Sequence, residues 1–189
     1  MFRTLLLVAN LLLLALLTWA WFDGPDPDPT PAAYRAALER HPGSTVAVDR
    51  GLAAFRSTFA DLAREDLATE IRALYAPAPH FDDTLVTLDD RDAIARYMQS
   101  MAGLLDHGSV VIEQVVRDDP DVFVRWRMSF AFRTLGRRVE SESIGLTHLR
   151  FDAEGRVVLH QDFWDSAGGL FEHLPLAGFF VRTAHDAIH

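Results

Sequence analysis

The sequence predicts an α+β domain in which helices come first and a curved antiparallel sheet follows. Three observations predict it. Apolar residues fall at helical spacing between Val48 and Leu105, and from Val110 onward they switch to strand alternation. The stretch from Gly145 to Asp165, GLTHLRFDAEGRVVLHQDFWD, then reads as two strands around a tight turn, with Gly155 placed to take a positive φ. Helices followed by a strand meander is the pattern of an α+β fold. The hairpin carries large side chains on both faces, which places it at the centre of the sheet.

Taken in order, the chain opens with Arg3 and an uncharged run from Thr4 to Phe22 that ends in Trp19, Trp21 and Phe22. As a helix this run spans roughly 28 Å, the thickness of a bilayer core, with aromatic residues suited to the interface. It predicts a transmembrane helix ahead of the domain, its N-terminus cytoplasmic and the domain on the far side, the periplasmic face in a bacterium. Cleavage near Thr18-Trp19-Ala20 is the competing reading and gives a secreted or periplasmic protein. Asp23 to Pro31 is a Pro/Asp-rich spacer, and Ala32 to Arg40 a short helix stopped by His41-Pro42-Gly43. The division is thus 1–22 for the anchor or signal segment, 23–43 for the spacer and short helix, and 44–189 for the folded domain with its apolar C-terminal extension.

Within the domain, Val48, Leu52, Phe55, Phe59 and Leu62 draw one helical stripe, and Leu67, Ile71, Leu74 and Tyr75 a second. Pro77 and Pro79 end that helix, and His80 to Leu88 reads as a strand. Asp89 or Asp90 caps a third helix with Ile94, Tyr97, Met98, Met101, Leu104 and Leu105 inward. Val110 to Val116 and Val122 to Phe132 are strands, and Leu135-Gly136-Arg137 turns the chain into a return strand ending at Phe151. Val122, Val124, Trp126, Met128, Phe130 and Phe132 share one face. Arg125, Arg127 and Arg133 share the other with His148 and Arg150, a convex side suited to solvent or to a second subunit.

Composition excludes several functions. Net charge is −9, with 18 basic residues, all Arg, and no basic stripe, so nucleic-acid binding is not expected. The chain has no cysteine, which removes disulfides, thiol catalysis and thiolate metal sites.

Helix, helix, YAPAPHFDD, a helix after DDRDAIARYM, and strands ending in LRFDAEGRVVLHQDFWD together resemble the SnoaL-like and ketosteroid-isomerase-like members of the nuclear transport factor two superfamily. The resemblance covers roughly Val46 to Asp165. It implies a cone-shaped α+β barrel, a bent sheet wrapped around a long helix, with an apolar pocket open at one end. It implies no cofactor and no metal, and it spans isomerases, dehydratases, cyclases, epoxide hydrolases and proteins without chemistry.

Asp83 matches the general base of the steroid-isomerase pattern, with Thr84 in place of the Pro that follows it. Strand parity agrees: if Phe81 faces the core, so does Asp83, and Asp82 points away. A carboxylate in an apolar pocket is shifted toward useful basicity. The alternative is an Asp that merely bonds backbone amides at a strand end. Phe59 stands where the isomerase has its oxyanion Tyr, and Thr147 where it has a protonated Asp, so that oxyanion pair is missing. His160, Asp162 and Trp164 share a strand face, and His-x-Asp can act as a proton shuttle. Their plainer role is a buried bond that fixes the sheet. With Phe55, Phe59, Phe81, Trp126, Met128, Thr147, Leu149 and Trp164 as lining, the pocket suits a small hydrophobic molecule. His173, His185 and His189 downstream give His160-x-Asp162 only the outline of a metal site. The apolar segment from Leu170 to Val181 is expected over the pocket mouth or a neighbouring subunit, with membrane contact as the alternative. Two functions follow: a membrane-tethered ligand- or partner-binding domain, or an acid/base enzyme with Asp83 as base and His160 and Asp162 as shuttle.

Overall fold

The computed structural model describes residues 10–15, 18, 30–174 and 177–188. The chain divides into two units, Met1–Ala32 and Ala33–His189. In the first, residues 10–15 are helical, and the Thr18 hydroxyl donates back to the carbonyls of Leu14 (2.8 Å) and Ala15 (3.0 Å). Most of the Thr4–Phe22 run expected to span a membrane lies outside the described residues. Among the described residues no helix is long and apolar enough to cross a membrane.

The second unit is built on one unclosed, six-stranded sheet. Its strands are β1 (Tyr75–Asp82), β2 (Thr87–Leu88), β3 (Leu105–Asp118), β4 (Asp121–Thr134), β5 (Arg137–Phe151) and β6 (Val157–Trp164), in the order β2-β1-β6-β5-β4-β3. All neighbours are antiparallel except β1 and β6, which run parallel. The expected all-antiparallel sheet is therefore mixed. The long excursion between β1 and β6 returns the chain in the same direction, which a hairpin cannot do. The single strand expected over His80–Leu88 is two, because a turn at residues 83–86 interrupts it. β1 also starts earlier, at Tyr75, and runs through Pro77 and Pro79.

Three helices pack on one face: α2 (Val48–Phe59), α3 (Leu67–Leu74) and α4 (Arg91–Ala102). Asp90 caps α4 by accepting from the Ala93 amide at 2.7 Å. The core between helices and sheet contains Phe55, Phe59, Leu67, Ile71, Ile94, Phe81, Val122, Val124, Trp126, Leu149, Phe151 and Val157. Burying each large apolar side chain contributes on the order of 1.5–3 kcal/mol. Leu104 is the exception to the inward face expected of α4, being exposed where the chain leaves the helix.

The β5–β6 hairpin turns on Asp152, whose carboxylate accepts from the amides of Glu154 (3.0 Å) and Arg156 (2.8 Å), with Gly155 at φ +79°. A bulge follows: Phe151 pairs with Val157 but Arg150 pairs with Leu159. The extra residue is Val158, so Val157 rather than Val158 joins the core. Beyond the bulge the alternation is regular, and His160, Asp162 and Trp164 share the inner face.

From Ala33 onward, α1 (Thr30–Arg40) covers part of the opposite, outer face. Ala37 is fully buried there. The Tyr34 hydroxyl bonds His148 Nδ1 at 2.6 Å, and Arg150 Nη1 donates to the carbonyls of Leu38 (2.7 Å) and His41 (2.9 Å), at the C-terminal end of α1. Asp121 joins the two basic groups, 2.6 Å from His148 and 2.5 Å from Arg150. The sequence reading starts the folded domain at Ser44 and leaves His148 and Arg150 on a convex surface. Instead the folded unit reaches back to Ala33, and these two side chains anchor its first helix. Arg125, Ile144, Leu146 and Phe163 remain exposed on that face. At the other end, α5 (Ser166–Gly169), a 3-10 turn (Phe171–His173) and α6 (Ala177–Ile188) follow β6. Of the apolar C-terminal segment, Leu170 reaches the cavity described below, whereas Phe179 and Phe180 on α6 are exposed.

Candidate functional site

Between the helices and the inner sheet face lies a partly enclosed cavity of ≈ 140 Å³. Apolar cavities of about 150 Å³ hold a benzene-sized molecule. Phe55, Phe59, Phe81, Trp126, Met128, Thr147 and Trp164 line it, as do Asp83, His160 and Asp162. Leu149 does not. It pairs across the sheet with His160 and is fully buried in the core behind the cavity wall. Tyr97, Met98 and Met101 from α4, with Phe130 from β4, complete the walls.

Asp83 sits in the turn, not on the strand. Its Oδ1 accepts from the amides of Leu85 (3.0 Å) and Val86 (2.9 Å), and its Oδ2 from the Tyr97 hydroxyl at 2.6 Å. The Trp164 indole N–H holds the Asp83 carbonyl at 2.9 Å. Thr84, next in the turn, has φ +72°, a conformation rare for a β-branched residue. Asp82 does not point to solvent: it is buried and braces the same turn through the Thr84 amide (2.9 Å) and the Thr87 hydroxyl (2.7 Å). Burial pushes the Asp83 carboxyl above its ordinary value. The Tyr97 hydroxyl and the two amides oppose that shift, and the negative charge of Asp162 adds to it. The Tyr97 phenol is pushed up in turn, by burial and by the Asp83 charge, and stays protonated.

A second chain of bonds crosses the sheet. The Trp126 indole N–H donates to Thr147 Oγ1 at 2.7 Å, and the Thr147 hydroxyl donates to Asp162 Oδ1. His160 Nε2 lies 3.0 Å from the same oxygen, and His160 Nδ1 lies 2.6 Å from the Tyr75 hydroxyl. The network assigns the tautomer: Nε2–H donates to the carboxylate, and Nδ1 accepts a hydrogen bond from the phenol. Burial drives the Tyr75 phenol well above its ordinary value, so it keeps that proton. His160 is boxed by Phe55, Phe59, Tyr75 and Phe81, with ring centroids at 5.0 to 6.0 Å. Both its ring nitrogens are engaged, so it orients Asp162. Asp162 Oδ2 accepts no hydrogen bond among the described residues.

The backbone makes room for this arrangement at Gly145, which pairs with Trp126 across β4 and β5. A Cβ there would lie 2.4 Å from the indole ring, so only glycine lets Trp126 lie flat over the sheet. The sequence reading missed Tyr75 and Tyr97 as partners of the site. Both carried a signal, an inward helical position for Tyr97 and an apolar stripe for Tyr75, but nothing announced which carboxylate or imidazole each would meet. Among the described residues no group of three His, Asp or Glu stands close enough to hold a metal. His173 lies on the 3-10 turn and His185 on α6, while His189 is outside the described residues.

Comparison with solved structures places this architecture. A protein with a ketosteroid-isomerase-like fold from Catenulispora acidiphila, solved with trimethylamine, superposes with TM-score 0.56 at 16% identity, over 68% of this chain and 95% of that one. A protein from Shewanella denitrificans described as a SnoaL-like polyketide cyclase by assignment gives 0.55 at 15%, over 64% and 91%. An epoxide hydrolase from M. tuberculosis gives 0.51 at 19%, over 75% and 97%. No curated protein matches the chain. At these identities the likeness establishes the fold. The family model of the SnoaL-like domain matches residues 55–160, more than half of the chain and the span that holds Asp83, Tyr97, Thr147 and His160, so the chain belongs to the SnoaL-like domain family.

Proposed function

We propose that this domain binds a small, largely apolar molecule in its cavity and moves a proton on it, with Asp83 as general base. The observation that carries this is convergence: Asp83 from the turn after β1 and Asp162 from β6 line one apolar cavity, and burial raises the first. A base whose affinity for protons is lifted by desolvation suits chemistry near neutral pH. His160 and Thr147 position Asp162 as the second carboxylate. Nitroethane tests the base without knowledge of the natural substrate, because its nitro group carries the developing charge. Deuterium exchange of its methylene protons, followed by NMR, is expected to run faster with the protein than with buffer. The rate is expected to rise with pH through a value above the ordinary Asp range. Asp83→Asn, which still accepts the turn amides, is expected to lower it by roughly 100-fold or more. No acceleration by the wild-type protein would remove the catalytic half of the proposal.

A second reading, binding without chemistry, is favoured by one observation. The Trp126, Trp164, Tyr97 and Thr147 donors in the wall are all engaged with protein acceptors, which leaves no evident oxyanion hole. The Thr4–Phe22 run supports a membrane tether, which resistance of the protein to alkaline extraction from membranes would test. A homodimer through the exposed part of the convex face, around Arg125 and Ile144, is a further proposal that sedimentation of Ile144→Asp against wild type would test.

A further inference from the structure

The cavity has a charge character that proton transfer alone does not use. No arginine lines it and the chain has no lysine, so no permanently cationic side chain is part of its wall. The titratable groups facing it are Asp83, Asp162, His160 and Tyr97. The indole N–H groups of Trp126 and Trp164 and the hydroxyls of Tyr97 and Thr147 already donate to protein oxygens. A ligand therefore meets acceptors rather than donors. Asp162 Oδ2 accepts no bond among the described residues, and Asp83 Oδ2 accepts one, from Tyr97. A carboxylate oxygen can accept about two.

The remaining wall is ring surface, and the face of an aromatic ring attracts cations. An anion would be repelled by two carboxylates. While both carboxyls are ionised a neutral carbonyl would find no free donor, and a pure hydrocarbon would leave both carboxylates desolvated and uncompensated. A small cation satisfies both oxygens and the rings together. The ≈ 140 Å³ volume limits it to a single ring or a compact branched group.

Resting on the reading that this cavity binds a small molecule, we infer that its ligand is a small organic ammonium, its charged head held by Asp83 and Asp162. Its alkyl groups lie against Phe81, Tyr97, Trp126 and Trp164. A bound cation favours the ionised form of Asp83 and so opposes the effect of burial. Affinity therefore rises with pH as Asp83 ionises, the sign expected for a carboxyl held above its ordinary value.

The test compares tetramethylammonium with tert-butanol, a neutral molecule of similar size, on the full-length chain in phosphate buffer. The indole N–H resonances of Trp126 and Trp164 are the reporters, assigned with Trp126→Phe and Trp164→Phe. Tetramethylammonium is expected to shift both signals saturably, with a Kd at least ten-fold below that of tert-butanol. That preference is expected to shrink in Asp162→Asn and in Asp83→Asn. Two variants are used because Asp162 also holds Thr147 and His160, and either one retaining the native indole dispersion decides the matter. Equal or tighter binding of tert-butanol overturns the ammonium assignment and leaves the cavity reading standing. Absence of any saturable shift with either molecule overturns both.

Discussion

At the residue scale, the site is held by hydrogen bonds whose two ends lie on different elements. Tyr75 is the plainest case: fully buried at the start of β1, it reaches His160 on β6. Tyr75→Phe keeps the ring and removes the hydroxyl, leaving Nδ1 without its donor in an apolar box. The expected loss is about 1–3 kcal/mol, read as a lower urea midpoint at unchanged m-value. An unchanged midpoint would mean that the bond contributes nothing net. The same residue shows what the sequence could and could not carry. Its apolar spacing with Leu67, Ile71 and Leu74 marked it as inward, yet the pairing with His160 depends on the parallel register of β1 and β6, which no local pattern encodes. Asp83 was legible as a cavity residue by parity with Phe81, but parity gave the right face for an incomplete reason. It is the tight turn, with Thr84 at positive φ and two amides on Oδ1, that aims the carboxylate.

At the scale of elements, the helices and the long strands were legible because each carries one uninterrupted period. Val48 to Phe59 shows 3.6, and Val122 to Phe132 shows 2. What stayed hidden were the interruptions. The bulge that turns Val157 rather than Val158 inward shifts one residue without disturbing composition, and the short β2 carries too few residues to show a period at all. The partner of α1 was also hidden, since its contacts lie more than a hundred positions away, at His148 and Arg150. That helix gives a prediction of its own. Removing residues 1–29 is expected to leave a stable fold. Removing residues 1–43 is expected to strip the cover from the buried His80, Gln161 and His148 and to lower the melting temperature markedly. Equal melting temperatures for the two shortened chains would show that α1 is dispensable.

For the whole molecule, pH acts on the two faces of the sheet in opposite senses. On the outer face burial lowers His148 and His41 below the ordinary 6.5. The unfolded chain therefore takes up protons near pH 6.5 that the folded chain refuses, and stability falls as pH drops below that value. Burial works to raise Asp121, but the bonds from Arg150 and His148 outweigh it and hold it below 3.8, so its contribution is lost only at stronger acidity. Asp83 runs the other way: the folded state protonates it first, and its burial penalty eases as pH falls toward 3.8. Between pH 7.5 and 5.5 the imidazoles are expected to dominate. Urea midpoints should then fall across that interval, and less steeply in His148→Gln. The parallel pairing of β1 with β6 has one more consequence, for synthesis. Asp83 leaves the ribosome early, but the strand that carries Asp162 and the indole that clamps the turn are among the last parts of the domain to emerge. The pocket is thus completed late in translation: a nascent chain halted before Val157 holds Asp83 and much of the wall but lacks the strand that joins β1 to β5, and folding must wait for that long-range closure.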